Sequence, residues 1–86
     1  MKKIIDQRIK AITESIRTIR EGKGYTQEYL AAKLYVSQNA YSKIELGYTK
    51  ITLERLFQVS IVLEVEVYQL INTEMSVSNT EMSVSA

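Results

Sequence analysis

The stretch from Thr26 to Gly47, TQEYLAAKLYVSQNAYSKIELG, predicts two short helices joined by a tight turn. Its apolar and small residues recur at helical spacing, which breaks at 35–37 and then restarts. They are Leu30, Ala31, Leu34, Val36, Tyr41 and Ile44. Thr26 and Ser37 stand where N-caps are needed, because a hydroxyl oxygen can accept a hydrogen bond from a free first-turn N–H. Gly47 can supply the left-handed residue that closes the second helix.

Further residues, within this stretch and on both sides of it, belong to the same pattern. They are Ile16, Arg17, Ile19, Arg20, Glu21, Tyr25, Gln27, Glu45, Leu56 and Leu70. In this register the chain from about Ile12 to Ile71 resembles the phage repressor/Cro helix-turn-helix proteins, also called xenobiotic-response-element regulators. The resemblance implies an all-α, five-helix DNA-binding domain over 12–71. Helix 2 would span about 26–34, and the recognition helix about 37–46.

Composition excludes several classes of function. A chain of 86 residues makes one small domain with a thin core. The absence of cysteine and histidine excludes disulfides, zinc fingers and histidine-based acid–base chemistry. The carboxylates are scattered, and Gly22-Lys23-Gly24 lacks the third glycine and the preceding strand of a phosphate-binding loop. We therefore expect no enzymatic activity, no cofactor and no metal.

The net charge of +1 hides an uneven distribution along the chain. Residues 1–50 hold ten Lys/Arg against five Asp/Glu, whereas residues 51–86 hold one against five. The basic half contains the predicted helix-turn-helix, which suits a protein that presents one face to phosphates. The alternative is that such asymmetry arises by chance in a short chain.

The first helix, over 1–22, carries an apolar stripe of isoleucines at intervals of four and three residues. The stripe is formed by Ile5, Ile9, Ile12, Ile16 and Ile19. Charged residues interrupt the apolar run, so no signal-peptide core or membrane span is predicted. We expect a cytoplasmic protein of bacterial or phage origin, associated with the nucleoid.

Residues 1–11 extend the first helix beyond the family's usual start. Ile4, Ile5 and Ile9 either fold back on the domain or, as we favour, meet a second chain.

The turn departs from the family pattern at Tyr35, where glycine is common. A non-glycine residue with positive φ costs about 1 kcal/mol of strain. The aromatic ring lies either on the surface near DNA or packed over helix 2.

If Ala40, Tyr41 and Ile44 of the recognition helix face the core, four polar residues face solvent. They are Gln38, Asn39, Ser42 and Lys43. Gln and Asn can pair with adenine N6 and N7, and Lys can donate to guanine O6 and N7. The resemblance implies that Gln38, Asn39 and Lys43 read base edges, and Ser42 shares their face. The alternative is an ordinary solvated helix face, which carries the same residue types.

The resemblance also implies phosphate contacts at several positions. Gln27 would meet a phosphate at the start of helix 2, and Ser37 at the start of the recognition helix. The loop Tyr48-Thr49-Lys50 would follow the DNA backbone through N–H groups, a hydroxyl and an ammonium. Arg17 could also reach a phosphate, whereas Gln27 could be only a solvated helix residue.

Arg20 and Glu45 have a structural role by the same resemblance. They would form a largely buried ion pair between the first helix and the end of the recognition helix.

The C-terminal half is predicted to complete the core. Thr52 would cap helix 4, and its inward face would be formed by Leu53, Leu56, Phe57, Ser60, Ile61 and Leu63. Leu70 and Ile71, on a short fifth helix, would close the core. Val59, Val62 and Val67 would then be surplus apolar residues available for a dimer interface.

The tail at 72–86 repeats NTEMSVS at 72–78 and 79–85. Its apolar and polar residues alternate in the second half of each copy, which is a strand period. We favour a flexible tail over an edge strand that pairs with another chain.

These features together predict a sequence-specific, double-stranded DNA-binding transcriptional regulator. We expect a repressor that acts as a homodimer on a palindromic operator. The alternative is an antitoxin-like or adaptor protein that binds a partner protein through its C-terminal half and uses DNA binding for autoregulation.

Overall fold

Five helices and no strand make up residues 1–72, which are the part of the chain described by the computed structural model. The helices are α1 (Lys2–Gly22), α2 (Gln27–Lys33), α3 (Gln38–Glu45), α4 (Leu53–Leu63) and α5 (Val67–Ile71). The predicted all-α class is confirmed. The two predictions for the tail, flexible segment or edge strand, concern residues 73–86 and lie outside the described residues.

Hydroxyl side chains define where three of the helices begin. Thr26, Ser37 and Thr52 each accept a hydrogen bond of 3.0 Å from the backbone N–H three residues further along the chain. Each bond satisfies a donor that has no partner within its own helix. Gly47, at φ 85°, follows the end of α3 in the left-handed region, as its position in the sequence predicts.

All five helices contribute to one hydrophobic core. Its buried members are Ile16, Leu30, Ala31, Leu34, Tyr41, Leu56, Val59, Leu63 and Leu70. The helices α2 and α3 pack closely on each other, and α1 contacts α3, α4 and α5. The fold therefore holds α3 from behind by two other helices and leaves its other side open.

The predicted inward face of α4 is partly wrong. Leu53, Phe57 and Ile61 are 69%, 50% and 74% exposed. The inward face is instead formed by Leu56, Val59, Ser60 and Leu63. Because α4 is apolar on nearly every side, periodicity could not identify the side that faces the core.

The predicted surplus of valines is also corrected by the structure. Val59 is fully buried, and Val62 and Val67 are partly buried against the core. Ile71 does not close the core, because it is exposed next to the fully buried Leu70. The apolar residues left over after folding are therefore different from those expected.

The leading turns of α1 continue the helix and do not fold back. Ile4 and Ile5 are exposed, and Ile9 is half-buried. Contact with a second chain stays a prediction for this segment. Within residues 1–72, no helix is both long and apolar enough to cross a membrane.

Between residues 1 and 72, two residues other than glycine adopt the left-handed backbone conformation. Tyr35 has φ 60° in the turn between α2 and α3, and Glu64 has φ 59° after α4. The Tyr35 side chain is 95% exposed, so it lies on the surface and does not pack over α2. The left-handed turn lets the N–H groups of Tyr35 and Val36 donate to the Ala32 and Ala31 carbonyls, at 3.2 and 3.0 Å, while the exposed ring adds no packing on the core.

We expect Tyr35→Gly to raise the free energy of unfolding by about 1 kcal/mol, because glycine removes the Cβ clash of the left-handed conformation. Tyr35→Ala is the matched control, since it removes the ring and keeps the Cβ. Urea unfolding of both variants measures the difference. Equal stability of the two variants would contradict the assignment of the strain to the backbone.

Candidate nucleic-acid interface

One side of α3 holds the helix to the core, and the other side presents polar groups to solvent. Tyr41 and Ile44 are buried, while Gln38, Asn39 and Lys43 are exposed. Ser42 is half-buried beside them. Residues four apart are neighbours on a helix surface, so Gln38 lies beside Ser42, and Asn39 beside Lys43. The four predicted base-reading residues therefore form one continuous polar surface.

The start of α3 adds hydrogen-bond donors to this surface. The Ser37 hydroxyl oxygen accepts from Ala40 N–H at 3.0 Å, and this bond fixes the first turn. The first backbone N–H groups of the helix have no carbonyl partner within the helix. The arrangement suits an anion, because the positive end of the helix dipole lies at the same place.

The loop after α3 differs from the expectation in one respect. The backbone N–H groups of Tyr48 and Thr49 both donate to the Lys43 carbonyl, at 2.8 and 3.1 Å. These two N–H groups close the helix and are not available to grip phosphates, as had been expected. The Tyr48 phenol, the Thr49 hydroxyl and the Lys50 ammonium remain, and all three residues are exposed.

A buried network joins α3 to α1. Arg20 Nε and Nη2 donate to Glu45 Oε2 and Oε1, each at 2.9 Å, and the two side chains are only 8% and 2% exposed. Arg20 Nη1 donates to the Tyr25 carbonyl at 2.8 Å. The Tyr41 hydroxyl donates to Glu45 Oε2 at 2.6 Å, and Gln27 Nε2 donates to Glu45 Oε1 at 3.1 Å. Within the described residues, no buried side-chain polar atom lacks a hydrogen-bond partner.

The ionisation states of this network follow from its geometry. Burial alone would raise the pKa of Glu45, but the hydrogen bonds from Arg20, Tyr41 and Gln27 outweigh it and hold that pKa below 4.5. The hydrogen bond to Glu45 raises the pKa of Arg20, although burial opposes it. Burial and then the bond to Glu45 raise the pKa of Tyr41 well above 10.0. At neutral pH, an ionised pair is therefore joined by a neutral phenol.

We expect the domain to lose stability in acid because of Glu45. Its pKa is lowered by folding, so its contribution is present above pH 4.5 and is lost as the pH falls through the lower folded-state value. Urea unfolding between pH 7 and pH 2.5 measures this loss. On acidification, the exposed Glu14→Gln variant should lose as much stability as the wild type. Glu45→Gln should be less stable than the wild type at pH 7 and should lose less stability as the pH falls. If the stability of Glu45→Gln changed with pH as steeply as that of the wild type, the loss could not be assigned to Glu45.

The remaining two predicted phosphate contacts are engaged in the protein itself. Gln27 is half-buried, and one N–H of its amide is used by Glu45. Arg17 Nε lies 3.3 Å from Glu21 Oε2, in a pair whose side chains are both more than half exposed. A phosphate role for either residue stays a prediction, and Gln27 has a structural role besides.

Sequence reasoning missed two members of the network. Tyr41 was expected only to pack, and Gln27 only to face a phosphate or solvent. The spacing of Tyr41 and Glu45, four residues apart on one helix, was the available signal for the phenol. No comparable signal connects Gln27 with Glu45, because they lie on different helices.

Comparison with known proteins gives one match. The Helix-turn-helix family model, HTH_3, matches residues 16–70. No curated protein and no solved structure matched the chain. The matched region contains α2 and α3 in full and begins within α1, after its leading turns.

Proposed function

Because the chain belongs to the Cro/C1-type helix-turn-helix family of DNA-binding transcription regulators, we propose that it is a sequence-specific repressor that binds double-stranded DNA. One observation carries this proposal. Gln38, Asn39 and Lys43 are exposed together on α3, whose opposite side is buried. The protein would act in the cytoplasm, on the nucleoid, without a cofactor.

The proposed mechanism places α3 in the major groove. A helix with its side chains is about 10–12 Å wide, and the groove is about 12 Å wide. Gln38 and Asn39 would pair with adenine N6 and N7, and Lys43 would donate to guanine O6 and N7. Ser42 can hydrogen-bond to any base, but its side chain is half-buried in the protein, so we assign it a secondary role.

Contacts to the DNA backbone would position the helix. Ser37 holds a phosphate at the start of α3, and Tyr48, Thr49 and Lys50 hold phosphates at its other end. Gln27 and Arg17 are further candidates on the neighbouring helices. The buried network supports these contacts, because it fixes the end of α3 against α1.

The protein would act as a homodimer on a palindrome. Two copies of α3 related by a two-fold axis match half-sites about 34–36 Å apart. Selection of bound sequences from a pool of random duplexes tests the proposal. The expected result is an inverted repeat with that spacing, and a pool that stays random after several rounds would contradict it.

We expect Lys50→Ala to weaken binding to all duplexes equally. Removing one phosphate contact should reduce the slope of log K against log[salt] by about 0.9. Binding titrations at several salt concentrations, with one selected and one scrambled duplex, measure this change.

Lys3→Ala is the matched control for this titration. Lys3 is exposed on α1 and lies about 25 Å along the helix axis from Arg20, the residue that meets the end of α3. A salt slope that changes for Lys3→Ala and not for Lys50→Ala would contradict the proposed backbone contact.

A further inference from the structure

An apolar stripe runs along the solvent side of α4. Leu53, Phe57 and Ile61 follow one another four residues apart, and half or more of each side chain is exposed. We call these three residues the α4 stripe. Large apolar side chains aligned in this way are unusual on a soluble surface and indicate a covered face.

The two ends of the α4 stripe carry opposite charges. Lys50 precedes Leu53 by three residues, and Glu64 follows Ile61 by three residues. Both are exposed, and within residues 1–72 neither side chain has an ion-pair or hydrogen-bond partner. Within the monomer, the α4 stripe therefore lies between a cation and an anion that have no partner in residues 1–72.

We propose that the α4 stripe binds the α4 stripe of a second copy of this chain, in an antiparallel two-fold arrangement. Phe57 would face Phe57 of the partner subunit at the axis, and Leu53 would pack on Ile61 of the partner subunit. Lys50 would then face Glu64 of the partner subunit, once on each side. This proposal assigns a surface to the dimer of the proposed function and rests on that function.

The charges favour a second copy of the chain as the binding partner, and they favour antiparallel packing of the two α4 helices. A two-fold interface brings the same patch together from both subunits, so a patch with opposite charges at its ends complements itself when antiparallel. A parallel arrangement would oppose like charges. The charges of Lys50, in the loop before α4, and of Glu64, at its C-cap, therefore fit a second copy of the chain.

Glu64 ends α4 through its backbone and leaves its side chain available for a contact outside the monomer. Glu64 adopts φ 59° at the end of α4, where glycine would be unstrained. Within residues 1–72, its carboxylate makes no hydrogen bond and no ion pair. The left-handed backbone itself closes α4, because the N–H groups of Glu64 and Val65 donate to the Ile61 and Ser60 carbonyls. The carboxylate is therefore free to contact a partner subunit.

Sedimentation equilibrium without DNA tests the interface. Phe57→Glu should raise the dimer dissociation constant at least about 100-fold, because it places two carboxylates at an apolar axis. Tyr68→Glu is the matched control, since Tyr68 is an exposed aromatic residue on α5 and its substitution should leave the constant unchanged. Circular dichroism establishes that both variants are folded.

A charge exchange tests the direction of packing. Glu64→Lys and Lys50→Glu should each weaken the dimer about tenfold, since each creates two like-charged pairs. The double variant should restore the wild-type constant. Working without DNA separates this effect from the proposed phosphate contact of Lys50.

Several results would overturn the interface. These are a monomeric wild type, a dimer that survives Phe57→Glu, a double variant without rescue, or a dimer lost on Ile5→Glu or on removal of 73–86 instead. A monomeric wild type would assign the stripe to another protein or to the tail. The proposed function is judged separately, because monomeric Phe57→Glu should still prefer the selected half-site over a scrambled one.

Discussion

Replacing Arg20 with alanine is expected to lower the free energy of unfolding by about 3–5 kcal/mol. The substitution leaves the Glu45 carboxylate buried, with its bidentate partner gone. The Tyr41 and Gln27 hydrogen bonds remain but supply no positive charge. A chain of 86 residues has a total stability of about 4 to 13 kcal/mol, so the loss is a large fraction of the total and leaves the variant close to unfolded at 25 °C when the total lies at the lower end of this range. Urea and thermal unfolding measure the loss.

Arg17→Ala is the matched control for this prediction. Arg17 also pairs with a glutamate, but both side chains are largely exposed, and such pairs contribute less than about 1 kcal/mol. If Arg20→Ala and Arg17→Ala lost the same small amount of stability, the buried network would not be what fixes α3 to α1. An apolar replacement of both members, Arg20→Met with Glu45→Leu, should recover much of the loss, because it leaves no buried charge.

Replacing Gln38 and Asn39 together with alanine is expected to remove most sequence preference without changing stability. Each bidentate contact to adenine contributes about 1–3 kcal/mol of discrimination against the wrong base. The double variant should therefore lose at least about 30-fold in the ratio of affinities for a selected and a scrambled duplex. Affinity for the scrambled duplex should hardly change, because the phosphate contacts remain.

Gln7→Ala controls for the general effect of removing an exposed amide. Gln7 lies on the leading turns of α1, which are outside the region matched by the family model. Its loss should leave the affinity ratio unchanged. Unaltered sequence preference in the Gln38→Ala, Asn39→Ala variant would show that these residues are not the readers, even if DNA binding persists.

The local features of the helix-turn-helix could be predicted because they are encoded by near neighbours. Thr26, Ser37 and Thr52 were identified as N-caps from their position before an apolar helical pattern, and Gly47 from its position after one. Each of these roles depends on hydrogen bonds within a few residues, so the sequence is sufficient to identify it.

The arrangement of α4 could not be predicted in the same way. Seven of its positions are apolar, and the side that meets α1, α2 and α5 is decided by packing between helices, which periodicity does not encode. For the same reason Leu53, Phe57 and Ile61 were assigned to the core, and the stripe that they form became evident only in the folded chain. The Gln27–Glu45 bond likewise depends on how α2 crosses α3.

The sequence was sufficient to predict which residues form the candidate site. It was less informative about the hydrogen bonds around them. The exposed face of α3 follows from helical spacing once Tyr41 and Ile44 are placed inward. The occupation of the Tyr48 and Thr49 N–H groups by the Lys43 carbonyl depends on how the loop folds back on α3, which residue types alone do not determine.

Duplexes containing 7-deazaadenine test most directly whether α3 reads the major groove. This base lacks the N7 acceptor but pairs normally with thymine, so it removes one hydrogen bond that Gln38 or Asn39 would donate. We expect it to weaken the wild type by about tenfold at one or two adenines of each selected half-site, and to have no effect on the Gln38→Ala, Asn39→Ala variant. An equal loss in both proteins, or no loss in either, would contradict the placement of these side chains at base edges.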